Sequence, residues 1–232
     1  MFYPYGFRYD STMLILIPAI ILTLYAQGKV KTNFEKYLRV STRRGYSGAE
    51  VARMLLNQNG LHDIPIEAAS GQLGDHYDPT KRVLRLSREV HQGSSIASVS
   101  VAAHEVGHAI QHANGYVPLS LRNIVFPVAR LGSSAAWIFI LVGLMIPNLG
   151  GLMDIGILLF GAAVLFQLIT LPVEFNASSR ALEMLDSNGY IYDEEIKGAK
   201  KVLQAAALTY VAAMASGLAQ FMRLILIRNR RR

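Results

Sequence analysis

The stretch GLMDIGILLFGAAVLFQLIT, residues 151–170, carries a single charged residue. As a helix, an apolar run of about 20 residues matches the hydrocarbon thickness of a bilayer. In lipid no water satisfies backbone N–H and C=O groups, so the segment must bond them internally, and a helix does so on its own. This stretch commits the chain to a membrane. Just ahead of it, LGSSAAWIFILVGLMIP (131–147) is equally apolar, and only NLGG separates the two. A link that short makes them an antiparallel transmembrane hairpin.

Two further runs have the same character. STMLILIPAIILTLYAQ (11–27) is near the lower length limit for a span. It reads as an uncleaved anchor: Arg8 is balanced by Asp10, and LYAQG lacks the small-x-small pattern of a cleavage site. Pro18 is tolerable inside a membrane helix. The other run, from Val202 to about Ile227, is alanine-rich but carries Gln204, Thr209, Tyr210, Ser216 and Gln220. It either spans or lies against protein at the water interface.

The rest is polar. Only 17% of residues are charged against 52% apolar, and the formal net charge is +7. The basic residues sit beside apolar runs, the pattern that sets membrane orientation, so nucleic acid is not the expected partner. With no cysteine, thiolate ligands, disulfides and a cysteine nucleophile are excluded. SGAEVARMLLNQNG reads as a helix, with Ser47 at the N-cap, Glu50 at the capping-box position and Gly60 closing it. IPIEAASG and RVLRLS read as short strands, with GDHYDPTK as the turn between them.

The expected fold is mainly α and integral to the membrane, with three or four transmembrane helices and a small cytoplasmic α+β unit. Residues 1–27 form the anchor, 28–124 the polar unit and 125–171 the hairpin. Residues 172–232 form a further helix, the C-terminal apolar helix and a basic tail. Lysines and arginines between 29 and 44 place the polar unit on the cytoplasmic face of the cell (inner) membrane, and the hairpin link has none. If the last apolar segment crosses, its RNRRR tail lands on the opposite side, against the same rule.

Three of the six histidines fall within AAHEVGHAIQHANG, residues 102–115. Residues 95–113 should be helical, with Ser94 or Ser95 capping the start and Gly115 following the end. Positions four apart differ by about 40° around a helix. His104 and His108 therefore share a face and can hold one ion. Glu105 is rotated by about 100° from His104 and can reach a metal-bound water. This is the HExxH arrangement of zinc hydrolases. His112, a further turn along, is too distant to share the ion and reads as a supporting or surface residue. Catalytic zinc usually has three protein ligands and a water. The metzincin pattern would need glycine at 111 and histidine at 114, where this chain has Gln111 and Asn114. A carboxylate from a later helix remains, and LPVEFNASSRALEMLDSNG (171–189) offers Glu174. Pro172 suits a first helical turn or a kink there, and Asn188-Gly189 suits the end.

Together AAHEVGHAIQH, LGDHYDPTKRVLRLS and LPVEFNASSRALEML resemble the YugP-like membrane neutral zinc metallopeptidases. VLQAAALTYVAA resembles their C-terminal segment, and the resemblance runs in order from about residue 1 to 228. More distantly the chain is similar to the HtpX and CAAX-prenyl-protease group of gluzincins, whose HExxH is followed by an ExxAD motif with the third ligand. Glu174 takes that ligand position and Ala177 matches, but Ser178 stands where that group has aspartate. The resemblance implies a zincin-like unit in a membrane-embedded endopeptidase acting on protein or peptide. It implies one zinc ion on His104, His108 and Glu174, with Glu105 as general base and acid. Something beyond zinc must stabilise the oxyanion, and Tyr210, Arg180 and His76 are the candidates. Asn176 and Ser178 could orient the ligands, and the RVLRLS strand could be an edge that pairs with an extended peptide. A membrane-protein partner or a homo-oligomer is compatible with the sequence, which fixes neither.

Two rival readings fit parts of the sequence. A site-2-type intramembrane protease would bury HExxH in lipid and draw an aspartate ligand from Asp154 or Asp186, but serines and polar flanks surround 95–113. A membrane scaffold with structural zinc would want four protein ligands, of which three good ones are found, and would have no use for Glu105. A transporter has least support, since the sequence offers no evident intramembrane charge pair.

Overall fold

The computed structural model of the protein describes residues 11–69 and 74–230. Among them, four helices are long and apolar enough to cross a membrane. A 3-10 turn over Ser11–Leu16 leads into α1 (Ile17–Leu38), which runs beyond the apolar stretch through the basic residues that follow. The hairpin is α5 (Val117–Met145) and α6 (Gly150–Ser187), joined at a 3-10 turn, Pro147–Leu149. Pro172 neither starts nor ends a helix: α6 continues through it. The last long helix, α7 (Asp193–Asn229), begins nine residues ahead of the apolar run expected from Val202.

The chain divides into two compact units. The first comprises Val125–Gln167 with the described parts of 1–24 and 212–232. Here α5 and α6 meet through glycines: a Cβ on Gly156 would lie 2.8 Å from the Ala136 carbonyl oxygen. Close backbone approach of this kind is how helices associate in lipid, where no hydrophobic drive remains between them. Arg228 grips Asp154 through two bonds of 2.6 Å, and Arg230 reaches the Ser11 hydroxyl at 3.3 Å. The end of α7 thus lies beside the start of α6 and of the first segment. The last segment therefore runs the length of this unit, and an ion pair is present where the sequence suggested none.

The second unit comprises Tyr25–Ile124 and Leu168–Val211. Its α2 (Gly48–Gln58) starts on the expected capping box: Glu50 N–H donates to the Ser47 hydroxyl, and Ser47 N–H to the Glu50 carboxylate. A three-stranded sheet follows, β1 (Ile66–Ala68), β2 (His76–Asp78) and β3 (Val83–Leu86), ordered β1-β3-β2. β1 is parallel to β3, and β2 antiparallel. Two expectations change here. The GDHYDPTK segment is not all turn: its middle, His76–Asp78, is a strand, in which Tyr77 buries its ring while His76 and Asp78 point the other way. Asp78 Oδ1 then accepts from Thr80 and Lys81 N–H and closes the tight connection to β3. The RVLRLS strand is central, with β1 on one side and β2 on the other, so it offers no free edge. After the short α3 (Arg88–Gln92) comes α4 (Ile96–Ala113), capped by the Ser95 hydroxyl on Ser98 N–H. The core is built from Leu55, Leu56, Leu84, Leu86, Val106 and Leu185, all fully buried. It is packed around α4, which is buried along most of its length.

Candidate metal centre

Gly107 brings the site together. A Cβ there would sit 2.8 Å from the Ala177 carbonyl oxygen, so α4 and α6 touch backbone to backbone at a point where neither carries a large side chain. Glu174, one turn before Ala177, then faces His104 and His108. Its Oε2 lies 3.3 Å from His104 Nε2 and 3.6 Å from His108 Nε2. The three ligand atoms fall within 4.8 Å of one another. Glu174 is buried, and that Oε2 makes no hydrogen bond. An unsatisfied buried carboxylate oxygen facing two imidazole nitrogens is costly unless a cation joins them. Two nitrogens and one oxygen form a ligand set suited to zinc with one position left open.

The far side of each imidazole is held. Gln111, fully buried, donates its amide protons to the Val173 carbonyl at 2.8 Å and to Asn176 Oδ1 at 2.9 Å. Its oxygen is left to accept from His108 Nδ1–H at 3.0 Å, which turns the lone pair of Nε2 toward Glu174. Arg180 Nε in turn donates to Asn176 Oδ1 at 2.8 Å. The Ser178 hydroxyl holds His104 Nδ1 at 3.2 Å. Arg122 Nη1 approaches the other oxygen of Glu174 at 3.7 Å, and Tyr210 also faces Glu174. Burial works against a charged His108, but the neighbouring Glu174 and the charge of Glu105 outweigh it and hold its pKa above the ordinary value. That is the electrostatic signature of a place that favours positive charge. Glu105, also buried, accepts Tyr77 N–H on Oε2 at 3.0 Å.

His104, Glu105, His108 and Glu174 are therefore brought together, with Ser178, Asn176, Arg180 and Tyr210 around them. His76 is not: it is exposed on β2 with Nδ1 on the Gly74 carbonyl. Asp154 is occupied by Arg228, and Asp186 is exposed at the end of α6. The helix with both histidines, α4, is not among the four apolar enough to cross. Sequence reasoning missed Gln111, Arg122, Gly107 and the strand role of Tyr77. Only Gln111 left a usable signal, being one turn from His108 on the ligand face.

Residues 12–229 match the family described as "Putative neutral zinc metallopeptidase". The chain is 52% identical over 213 residues to "Putative membrane protease YugP" of Bacillus subtilis (strain 168), covering 92% of this chain and 94% of that protein. No solved structure matches. A match over nearly the whole chain, with a buried His/His/Glu cluster at its centre, means that this protein belongs to the neutral zinc metallopeptidase family.

Proposed function

We propose that the protein is a membrane-embedded zinc endopeptidase of gluzincin type, with His104, His108 and Glu174 as ligands and Glu105 as general base and acid. The observation that carries this reading is the buried, unbonded Glu174 Oε2 faced by the Nε2 atoms of both histidines. When bound, zinc supplies Lewis-acid polarisation of a peptide carbonyl and a more acidic water. Glu105, with Oε2 held by Tyr77 N–H, keeps Oε1 for the proton it takes from the attacking water and returns to the leaving amine. Arg122 and Tyr210 flank Glu174 and would balance negative charge growing on the carbonyl oxygen. Arg180, spent on Asn176, supports the ligands instead. The zincin-like part is built on residues 28–124 and the segment carrying Glu174. Basic residues from Lys29 to Arg44 favour its facing the cytoplasm at the inner membrane.

The test is peptide mapping by mass spectrometry of membranes containing the wild type or Glu105→Ala. We expect cleaved peptides unique to the wild type, with zinc content equal in the two. Identical peptide maps would contradict the reading.

A further inference from the structure

His112 is left over by the metal site, yet it is engaged. Its Nδ1 lies 2.9 Å from the Tyr77 hydroxyl, and the rings meet at 5.8 Å between centroids. Tyr77 is also the residue whose backbone N–H reaches Glu105. Glu105 and His112 are seven residues apart on α4, about 20° apart around the helix and roughly 10 Å along it. Tyr77 bridges that span, with its amide at one end and its hydroxyl at the other. We propose that His112 and Tyr77 form a brace that positions the Glu105 carboxylate for proton transfer, an inference that rests on the peptidase reading.

Two features make this more than ordinary core packing. First, β2 is a three-residue edge strand, so its pairing with β3 alone is a weak anchor, and Tyr77 N–H goes to Glu105 instead of joining that ladder. Second, a cavity of about 330 Å³ lies beside the ring, lined by Leu61, Ile64, Ala109, Ala113, Arg82 and His112 as well as Tyr77. The ring itself packs in the core, so what the space leaves to be fixed is its hydroxyl end, which meets His112 and has Arg82 beside it. Tyr77 and His112 are thus positioning residues: they act on the reaction through Glu105 and touch neither ion nor substrate.

The experiment uses the full-length protein in detergent or nanodiscs, comparing wild type, Tyr77→Phe, His112→Ala, His112→Asn and the double variant Tyr77→Phe/His112→Ala. The asparagine side-chain amide occupies nearly the place of Nδ1 and preserves the contact. We expect kcat to fall by about 10–100-fold in Tyr77→Phe and His112→Ala, with KM and bound zinc unchanged. His112→Asn should recover most of the loss, and the double variant should be no worse than either single one. Amide hydrogen exchange of 76–78 in zinc-free protein should quicken in the same variants and recover with asparagine. Additive losses, or a change confined to KM or zinc content, or unaltered amide exchange, would each overturn the brace. If the wild type itself cleaves nothing, the peptidase reading fails, while the exchange measurement still decides whether the contact holds Tyr77.

Discussion

Gln111 gives both amide protons to α6, so its oxygen has one task left, which is to hold His108 Nδ1. Partners of ligands are commonly worth about 10–100-fold in metal affinity. We expect Gln111→Leu to weaken zinc by that factor in a chelator competition, and unchanged affinity would show that the ring needs no such guide. Arg122 differs because it approaches the other oxygen of Glu174, Oε1, and neither imidazole. Replacing it with methionine should leave zinc bound at least as tightly while turnover falls by about 100-fold. The candidate ligands His104 and His108, with Glu105 between them, were legible because helical spacing fixes where they point. Arg122 was not, since an arginine near the start of an apolar helix looks like any membrane-flanking charge.

The contact between α4 and α6 depends on one missing side chain. Gly107→Ala would press a methyl group into the Ala177 carbonyl, an overpacking that typically costs about 1–3 kcal/mol. We expect a lower melting temperature together with lost zinc, because Glu174 moves away with α6. A variant that binds zinc normally would mean the helices have slack. The α2 capping box gives a pH prediction. Hydrogen bonds from Ser47 hold Glu50 below the ordinary carboxylate value. This contribution is complete above the unfolded value and is lost as pH falls through the lowered one. Acid unfolding of Ser47→Ala should therefore be less steep across that window. Capping signals of this kind are local and were readable in the sequence. The β2 strand was not, because Asp-Pro and glycine mark a turn, whereas the burial of Tyr77 is set by α4, far along the chain. The passage of α6 through Pro172 was half legible: the sequence allowed a first turn or a kink there, and burial of Val173, Ala177 and Ala181 carries the helix on past the end of the apolar run near Thr170.

Over the whole chain, the apolar runs announced the membrane and the histidine pair announced a candidate metal site, and two acidic residues have opposite fates. Asp154 lies in one compact unit, neutralised by Arg228 at the end of α7. Glu174 lies in the other, with an oxygen that only a cation satisfies. Sequence alone could nominate both, Asp154 as the one charge within an apolar run and Glu174 as a carboxylate just past its end. Bound zinc, measured per chain in purified wild type, Glu105→Ala, Glu174→Ala and Asp154→Ala, separates them most directly. Wild type, Glu105→Ala and Asp154→Ala should each retain the ion, and Glu174→Ala should lose it. Zinc kept by Glu174→Ala and lost by Asp154→Ala would contradict the assignment.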